Sequence, residues 1–299
     1  MNSNYIPPRI LLLLSALIFV WGCSFPILKI GLREIPPLTF RASVVPFGIL
    51  VLSVLALISR HSSILPRGQW RTLMLTSVFN VTGWFVLSAY GLSLLGSGHA
   101  IIIAYTMPLW ASLFSMIFIG EEATVRRIAG LCFGLAGMAV LLSGKFGMIN
   151  FSPMGLVCMF GAAISWGIGT VLQKRTTWNI HSLLVAQWQF VIGGLPIAVA
   201  ALLFEVPDLQ PVSWKAIAVV VYTLLFPLLF CWFAWFKIVS ILPVTVASVS
   251  TMIIPVIGVI TSNLILGEAI GKYEIGALCL VCTGLAFVLI PPGSKRKAN

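Results

Sequence analysis

Charge is the scarcest ingredient of this 299-residue chain: 8% of the residues are charged, the acids number seven and the histidines three. So little ionisable material excludes a water-soluble fold and leaves little from which to build a catalytic base or a metal centre. A disulfide framework is missing as well, because Cys23, Cys132, Cys158, Cys231, Cys279 and Cys282 all lie inside apolar stretches. Cys279 and Cys282 form a CxxC, but its setting, LCLVCTG, offers no basic neighbour and no further ligand, so it reads as helix packing. No cofactor and no metal are expected. Long polar stretches are absent too, which leaves no soluble domain to house separate chemistry.

Apolar residues fill the space instead, at 60% with a mean hydropathy of +1.09. The net charge of +11 would raise nucleic acid in a soluble protein, but no basic run with interleaved aromatics lies outside a hydrophobic segment. Nucleic-acid binding is excluded, and the basic residues read as flanks of membrane spans. Arg9 followed by ILLLLSALIFVWGCS imitates a signal peptide, with Gly22-Cys23 as a lipoprotein site. Trp21 is too bulky for such a site and the apolar run continues to Ile30, so the segment is expected to be the first membrane helix.

Hydrophobic runs separated by short polar joints predict an all-α integral membrane protein with ten transmembrane helices. The expected limits are Ile10 to Ile30, Leu38 to Ile58, Trp70 to Leu94, Gly98 to Ile119, Ile128 to Leu142, Met154 to Gln173, Ser182 to Phe204, Trp214 to Val239, Val244 to Leu266 and Ile275 to Ile290. With a cytoplasmic amino terminus, twelve Lys and Arg fall on that side and six opposite, so both termini are expected in the cytoplasm.

The chain repeats itself. Pro108, Gly120-Glu121, Cys132 and Gly137 recur as Pro255, Gly267-Glu268, Cys279 and Gly284, each 147 residues later, while Trp21-Gly22 and Lys29 recur as Trp166-Gly167 and Lys174, 145 residues later. Two five-helix units follow, at residues 10–143 and 154–291. Five is odd, so the second unit enters the bilayer from the opposite side and the repeats are expected to be inverted. Inverted repeats suit alternating access to a site between them.

With these motifs the sequence resembles the ten-helix members of the drug/metabolite transporter superfamily with two EamA-type repeats, along nearly the whole chain. It is similar in length and layout to the YddG-type aromatic amino-acid exporters. The resemblance implies a cell inner (plasma) membrane exporter of small metabolites, commonly amino acids, with a central cavity between the halves. It also places Trp21 and Trp166 on that cavity. Expected partners are therefore a small-molecule substrate and the lipid bilayer, with the chain acting as a monomer. A drug, nucleoside or sugar derivative is the alternative cargo, and a membrane-embedded acyl or glycosyl transferase is the competing class.

Polar side chains inside spans face cavities or partner helices. Asn80, Trp84 and Ser88 follow one another at helical spacing and predict one inward face of the third helix. Tyr105 precedes Pro108 by one turn and is matched by Met252 before Pro255; both prolines are assigned hinge or kink roles. Ser248, Thr251, Met252, Gln187 and Trp188 complete the expected substrate-binding set. Lys29, Lys174 and Lys237 are read as snorkelling residues at helix ends, His99 as a residue at a solvated helix start, and Glu121 and Glu122 with Arg126 and Arg127 as a helix-terminal charge cluster. All seven acids map to loops or helix ends. A cavity without a mid-membrane carboxylate suits a zwitterion or neutral solute with an apolar side chain better than a polyanion.

Overall fold

A computed structural model describes residues 8–58, 67–143, 152–239, 241–242 and 250–289, and among them every regular element is helical. Among the described residues nine helices are long and apolar enough to cross a membrane: α1 (Pro8–Gly31), α2 (Pro37–Ile58), α3 (Trp70–Leu94), α4 (Ser97–Phe118), α5 (Val125–Ser143), α6 (Pro153–Arg175), α7 (Ser182–Phe204), α8 (Trp214–Trp235) and α10 (Lys272–Leu289). Between the last two stands a shorter apolar helix, α9 (Thr251–Leu266). In lipid each backbone N–H and C=O must find its partner inside the chain, and a continuous helix does this at every residue. Helix ends are tied down by side chains: Ser152 and Ser213 accept from Gly155 N and Ala216 N, and Gly120 and Gly267 adopt positive φ (75° and 69°) where α4 and α9 stop.

Lipid contact explains the surface. Large apolar side chains such as Leu57, Leu203 and Leu264 are exposed on the outside of the bundle. The interior is zipped by small residues, the device lipid-embedded helices use for close approach. Where α5 crosses α10, a Cβ on Gly130 would lie 2.8 Å from the Gly284 carbonyl and one on Gly137 would lie 3.0 Å from the Ala277 carbonyl. Gly130 and Gly137 correspond to Ala277 and Gly284 by the 147-residue shift, so the two contacts are images of each other.

Contacts at the helix ends give the directions. Lys29, near the carboxyl end of α1, bonds the carboxyl end of α3. Gly155, at the amino end of α6, packs against Leu94 and Leu95 at that same place. Hence α1 and α6, the first helices of the two repeats, run in opposite directions. Helix α2 packs on α7, α5 on α10 and α4 on α9, while α1 lies on α9 as α6 lies on α4.

Candidate functional site

Both fourth helices carry a proline-started segment at matching points. In α4 the helix Ser97–Ala104 ends at Tyr105, and a new segment, Met107–Phe118, begins with Pro108 among its first two residues. In α9 a 3₁₀ turn, Thr251–Ile253, precedes Ile254–Leu266, with Pro255 in the same position. The prolines therefore do not kink a continuous helix. Each starts a fresh one, where its missing N–H costs nothing. The third helices carry a matching irregularity: a π-turn occupies Val78–Gly83 in α3 and Leu224–Phe230 in α8, 146 residues apart. Such segments recur at functional sites.

Each Trp-Gly motif rests on the proline-started segment of the other repeat's fourth helix. A Cβ on Gly22 would lie 2.8 Å from Ile257 Cβ in α9, and one on Gly167 would lie 2.9 Å from Trp110 Cβ in α4. Ile257 and Trp110 are themselves equivalents, 147 residues apart. Trp21 touches Trp235 of α8 (ring centroids 6.1 Å apart), and Tyr222 donates to Val20 O at 3.3 Å. On the other side Ser165 donates to Phe79 O at 2.8 Å, tying α6 to the π-turn of α3.

Trp21, Trp84, Tyr105 and Met252 all pack against one central cluster that draws on both repeats. Trp166 is half-buried between Ser165 and Gly167, the two residues that meet α3 and α4. Thr251 is half-buried in the 3₁₀ turn. Ser248 lies outside the described residues. The remaining candidates go elsewhere. Trp188 joins a separate cluster with Trp70 (5.7 Å between centroids), Leu73 and Val185. Gln187 Nε2 donates to Ser53 Oγ of α2 at 2.9 Å, and its buried Oε1 has no hydrogen-bond partner.

The expected single face of α3 is divided. Asn80 turns to α6, where its Nδ2 donates to Gln173 Oε1 at 3.2 Å, whereas Ser88 turns to α2 and accepts from Arg41 Nη2 at 3.1 Å. The π-turn between them accounts for this, because it inserts wider turns into a 3.6-residue spacing. Gln189, on α7, also donates to Gln173 Oε1 at 3.2 Å, so three amides from three helices converge while Asn80 Oδ1 stays buried without a partner. Gln173, Gln189 and Arg41 were not among the sequence candidates. An amide or a cation set in an apolar span was the signal available for each.

Two further expectations are corrected. Lys29 does not snorkel: half-buried, its Nζ donates to Leu92 O, Ser93 O and Leu95 O, each at 2.7 Å, because the end of α3 offers orphan carbonyls closer than water. Nor is His99 merely solvated, since its Nε2 lies 2.9 Å from Glu274 Oε1 on α10. At the same end the Glu268 carboxylate accepts from Ser97 N (2.7 Å), Gly98 N (2.9 Å) and Ser97 Oγ (3.0 Å), capping α4 from the other repeat. Glu205 accepts from Thr39 N at 2.7 Å and Tyr90 OH at 2.9 Å, capping α2 in the same manner.

At the opposite end Glu121 pairs with Lys174 and with Arg127 Nη2 at 2.7 Å. The Lys174 hydrogen bond, aided by the positive charge of Lys174 and Arg127, holds the Glu121 carboxyl below the usual range. Glu34, bonded by the Ser213 backbone and hydroxyl, is lowered likewise. An apolar recess opens between α2, α7 and α8, lined by Gly48, Phe190, Leu228 and Phe233 among others; none of the candidate substrate residues lines it. Among the described residues no three His, Cys, Asp or Glu side chains converge as metal ligands.

Among the described residues, ten apolar helices in two matched sets, with each Trp-Gly motif seated on the fourth helix of the other set, define an integral membrane protein of the transporter class. The model of the EamA-like transporter family matches residues 8–143 and 153–290. The chain belongs to that family, carries two EamA repeats and is a multi-pass membrane transporter. It is 28% identical to the uncharacterized transporter YvbV of Bacillus subtilis, over 97% of this chain and 93% of the relative. It is 24% identical to a probable amino-acid metabolite efflux pump of Salmonella typhimurium, over 90% of each chain. One crystal structure superposes with a TM-score of 0.64 at 23% identity, covering 94% of this chain and 96% of the other, a likeness of fold.

Proposed function

We propose that this transporter exports small metabolites, amino acids with apolar or aromatic side chains first among them, by alternating access between two inverted repeats spanning residues 10–143 and 154–291. The observation that carries this reading is the reciprocal seating of each Trp-Gly motif on the proline-started segment of the opposite repeat's fourth helix. A proline at a segment start lets a span bend without unfolding. Because each such segment is gripped by the other half, movement at one is transmitted to its counterpart. Pro108 and Pro255 then act as the hinges.

The substrate surface in this reading is the central cluster of Trp21, Trp84, Tyr105 and Met252, with Trp166 and Thr251 beside it. Its aromatic content supports a solute with an apolar body. The Salmonella relative named for amino-acid metabolites supports the same cargo. Residence in the cell inner membrane with both termini in the cytoplasm accords with the distribution of Lys and Arg.

The test is flux in proteoliposomes across labelled amino acids, nucleosides and sugars. Amino acids are expected to move, and W21A, W166A and Y105A are each expected to lower that flux about tenfold while the protein stays folded. Movement of nucleosides or sugars alone overturns the cargo. Unchanged flux in all three variants overturns the placement of the site.

A further inference from the structure

Arg41 sits in the second turn of α2, among apolar residues, and is only 8% exposed. A guanidinium buried in a membrane-spanning helix is costly and is retained where it meets a countercharge or performs a function. Among the described residues Arg41 bonds only neutral groups. Its Nε donates to Phe85 O at 3.1 Å, its Nη2 donates to Ser88 Oγ at 3.1 Å, and its Cζ lies 5.0 Å from the centre of the Phe85 ring. Nη1 has no hydrogen-bond partner among the described residues.

The carboxylates whose side chains are described are committed elsewhere. Glu34 is held by Ser213, Glu121 by Lys174 and Arg127, Glu205 by the amino end of α2 and Tyr90, Glu268 by the amino end of α4, and Glu274 by His99 and Gly271. Glu122 is exposed beyond the far end of α4. Among the described residues none comes within ion-pair distance of Arg41. No described side chain supplies the countercharge.

We propose that Arg41 is the docking point for the carboxylate of the transported solute, received on the free Nη1 edge of the guanidinium with Ser88 beside it. This rests on the transporter reading above and narrows its cargo to carboxylate-bearing solutes. The arrangement is preorganised for that purpose: the Phe85 carbonyl and ring fix Nε and the plane of the group, leaving an edge whose two-pronged geometry matches a carboxylate. Burial strengthens the attraction. A lipid phosphate is the rival source of the same charge.

The experiment compares the full-length wild type with R41K and R41Q in proteoliposomes, using labelled phenylalanine and phenylalaninamide, which lacks the carboxylate. Thermal unfolding of each protein is followed with and without phenylalanine and phenylacetate. Phenylalanine flux in R41Q is expected to fall at least about tenfold, chiefly through KM, with phenylalaninamide flux changed less than about twofold and R41K intermediate. Carboxylate probes are expected to raise the wild-type unfolding temperature and to leave R41Q unmoved.

Equal losses for the acid and the amide, in a variant as stable as wild type, overturn the proposal in favour of a structural role. So does a wild type whose unfolding temperature no carboxylate shifts, whatever its flux. An effect of R41Q that appears in vesicles containing phosphatidylglycerol but not in pure phosphatidylcholine, alike for acid and amide, assigns Arg41 to lipid and overturns it too. Selective movement of uncharged solutes by wild type sinks this inference while leaving the transporter reading in place.

Discussion

Lys29 and Lys174 stand at equivalent positions of the two repeats, 145 residues apart, and do opposite things. Lys29 is half-buried and closes three carbonyls at the end of α3, while Lys174, whose side chain is 60% exposed, pairs with Glu121. Their surroundings differ in the same sense. The Lys29 end is drawn together by Glu268 and Glu205, each capping a helix of the other repeat through backbone N–H groups. The Lys174 end relies on side-chain ion pairs that water and salt weaken. One end of the bundle is thus latched by half-buried charge-to-backbone bonds and the other by a surface pair. A fold with internal two-fold symmetry need not be chemically symmetric, and a transporter that opens one end at a time has reason not to be.

The sharpest way to break this comparison is to remove the two cations in turn. K29M strands the carbonyls of Leu92, Ser93 and Leu95 in a half-buried site and is expected to destabilise the protein by about 3 kcal/mol, since hydrogen bonds to a charged donor are worth about 1.5–3 kcal/mol. K174M removes an exposed pair and is expected to cost less than about 1 kcal/mol. Unfolding in detergent, followed by tryptophan fluorescence, measures both. Equal losses would show that burial of Lys29 is incidental and that the two ends are alike.

This asymmetry was hidden in the sequence for a physical reason. The duplication was legible because it resides in residue types: Pro108 and Pro255, Gly120 and Gly267, Trp21-Gly22 and Trp166-Gly167 announce themselves by identity and spacing. The latch of Lys29 is made to backbone carbonyls, which every residue possesses, so no pattern marks the partner. The π-turn at Val78–Gly83 has no proline or glycine pair to announce it, and by resetting the helical phase it separated Asn80 from Ser88, which a 3.6-residue wheel places together. Arg41 was visible as a charge in an apolar run, but its meaning depends on the absence of a carboxylate beside it, and only three-dimensional placement reveals that.

Glu268 and Glu121 extend the comparison to the anions. Glu268 satisfies two orphan N–H groups at the amino end of α4, where the helix dipole favours a negative charge. E268A is expected to cost about 1–2 kcal/mol, the range for loss of a helix cap. It is also expected to speed hydrogen exchange at Ser97 and Gly98, read by mass spectrometry of the α4 peptide. Exchange unchanged in this variant would mean that the cap does not hold this end closed.

The smallest effect, and the most diagnostic of the surface pair, is the response of Glu121 to acid. Lys174 and Arg127 hold its folded-state acidity stronger than in the unfolded chain. A group of this kind contributes fully above the ordinary glutamate pKa of about 4.3 and loses its contribution as pH falls through the lower folded value. Wild type should therefore exceed E121Q by no more than about 1 kcal/mol at neutral pH, and the gap should shrink toward zero near pH 3 and in about 1 M salt. Lys29, bonded to carbonyls that do not titrate, provides the internal contrast. Because K29M removes bonds to backbone carbonyls as well as the attraction of Glu268, the carbonyl share of its penalty should persist into the acid range in which the E121Q difference vanishes. Parallel decay of both differences would tie the two ends to a single titrating network and erase the distinction between them.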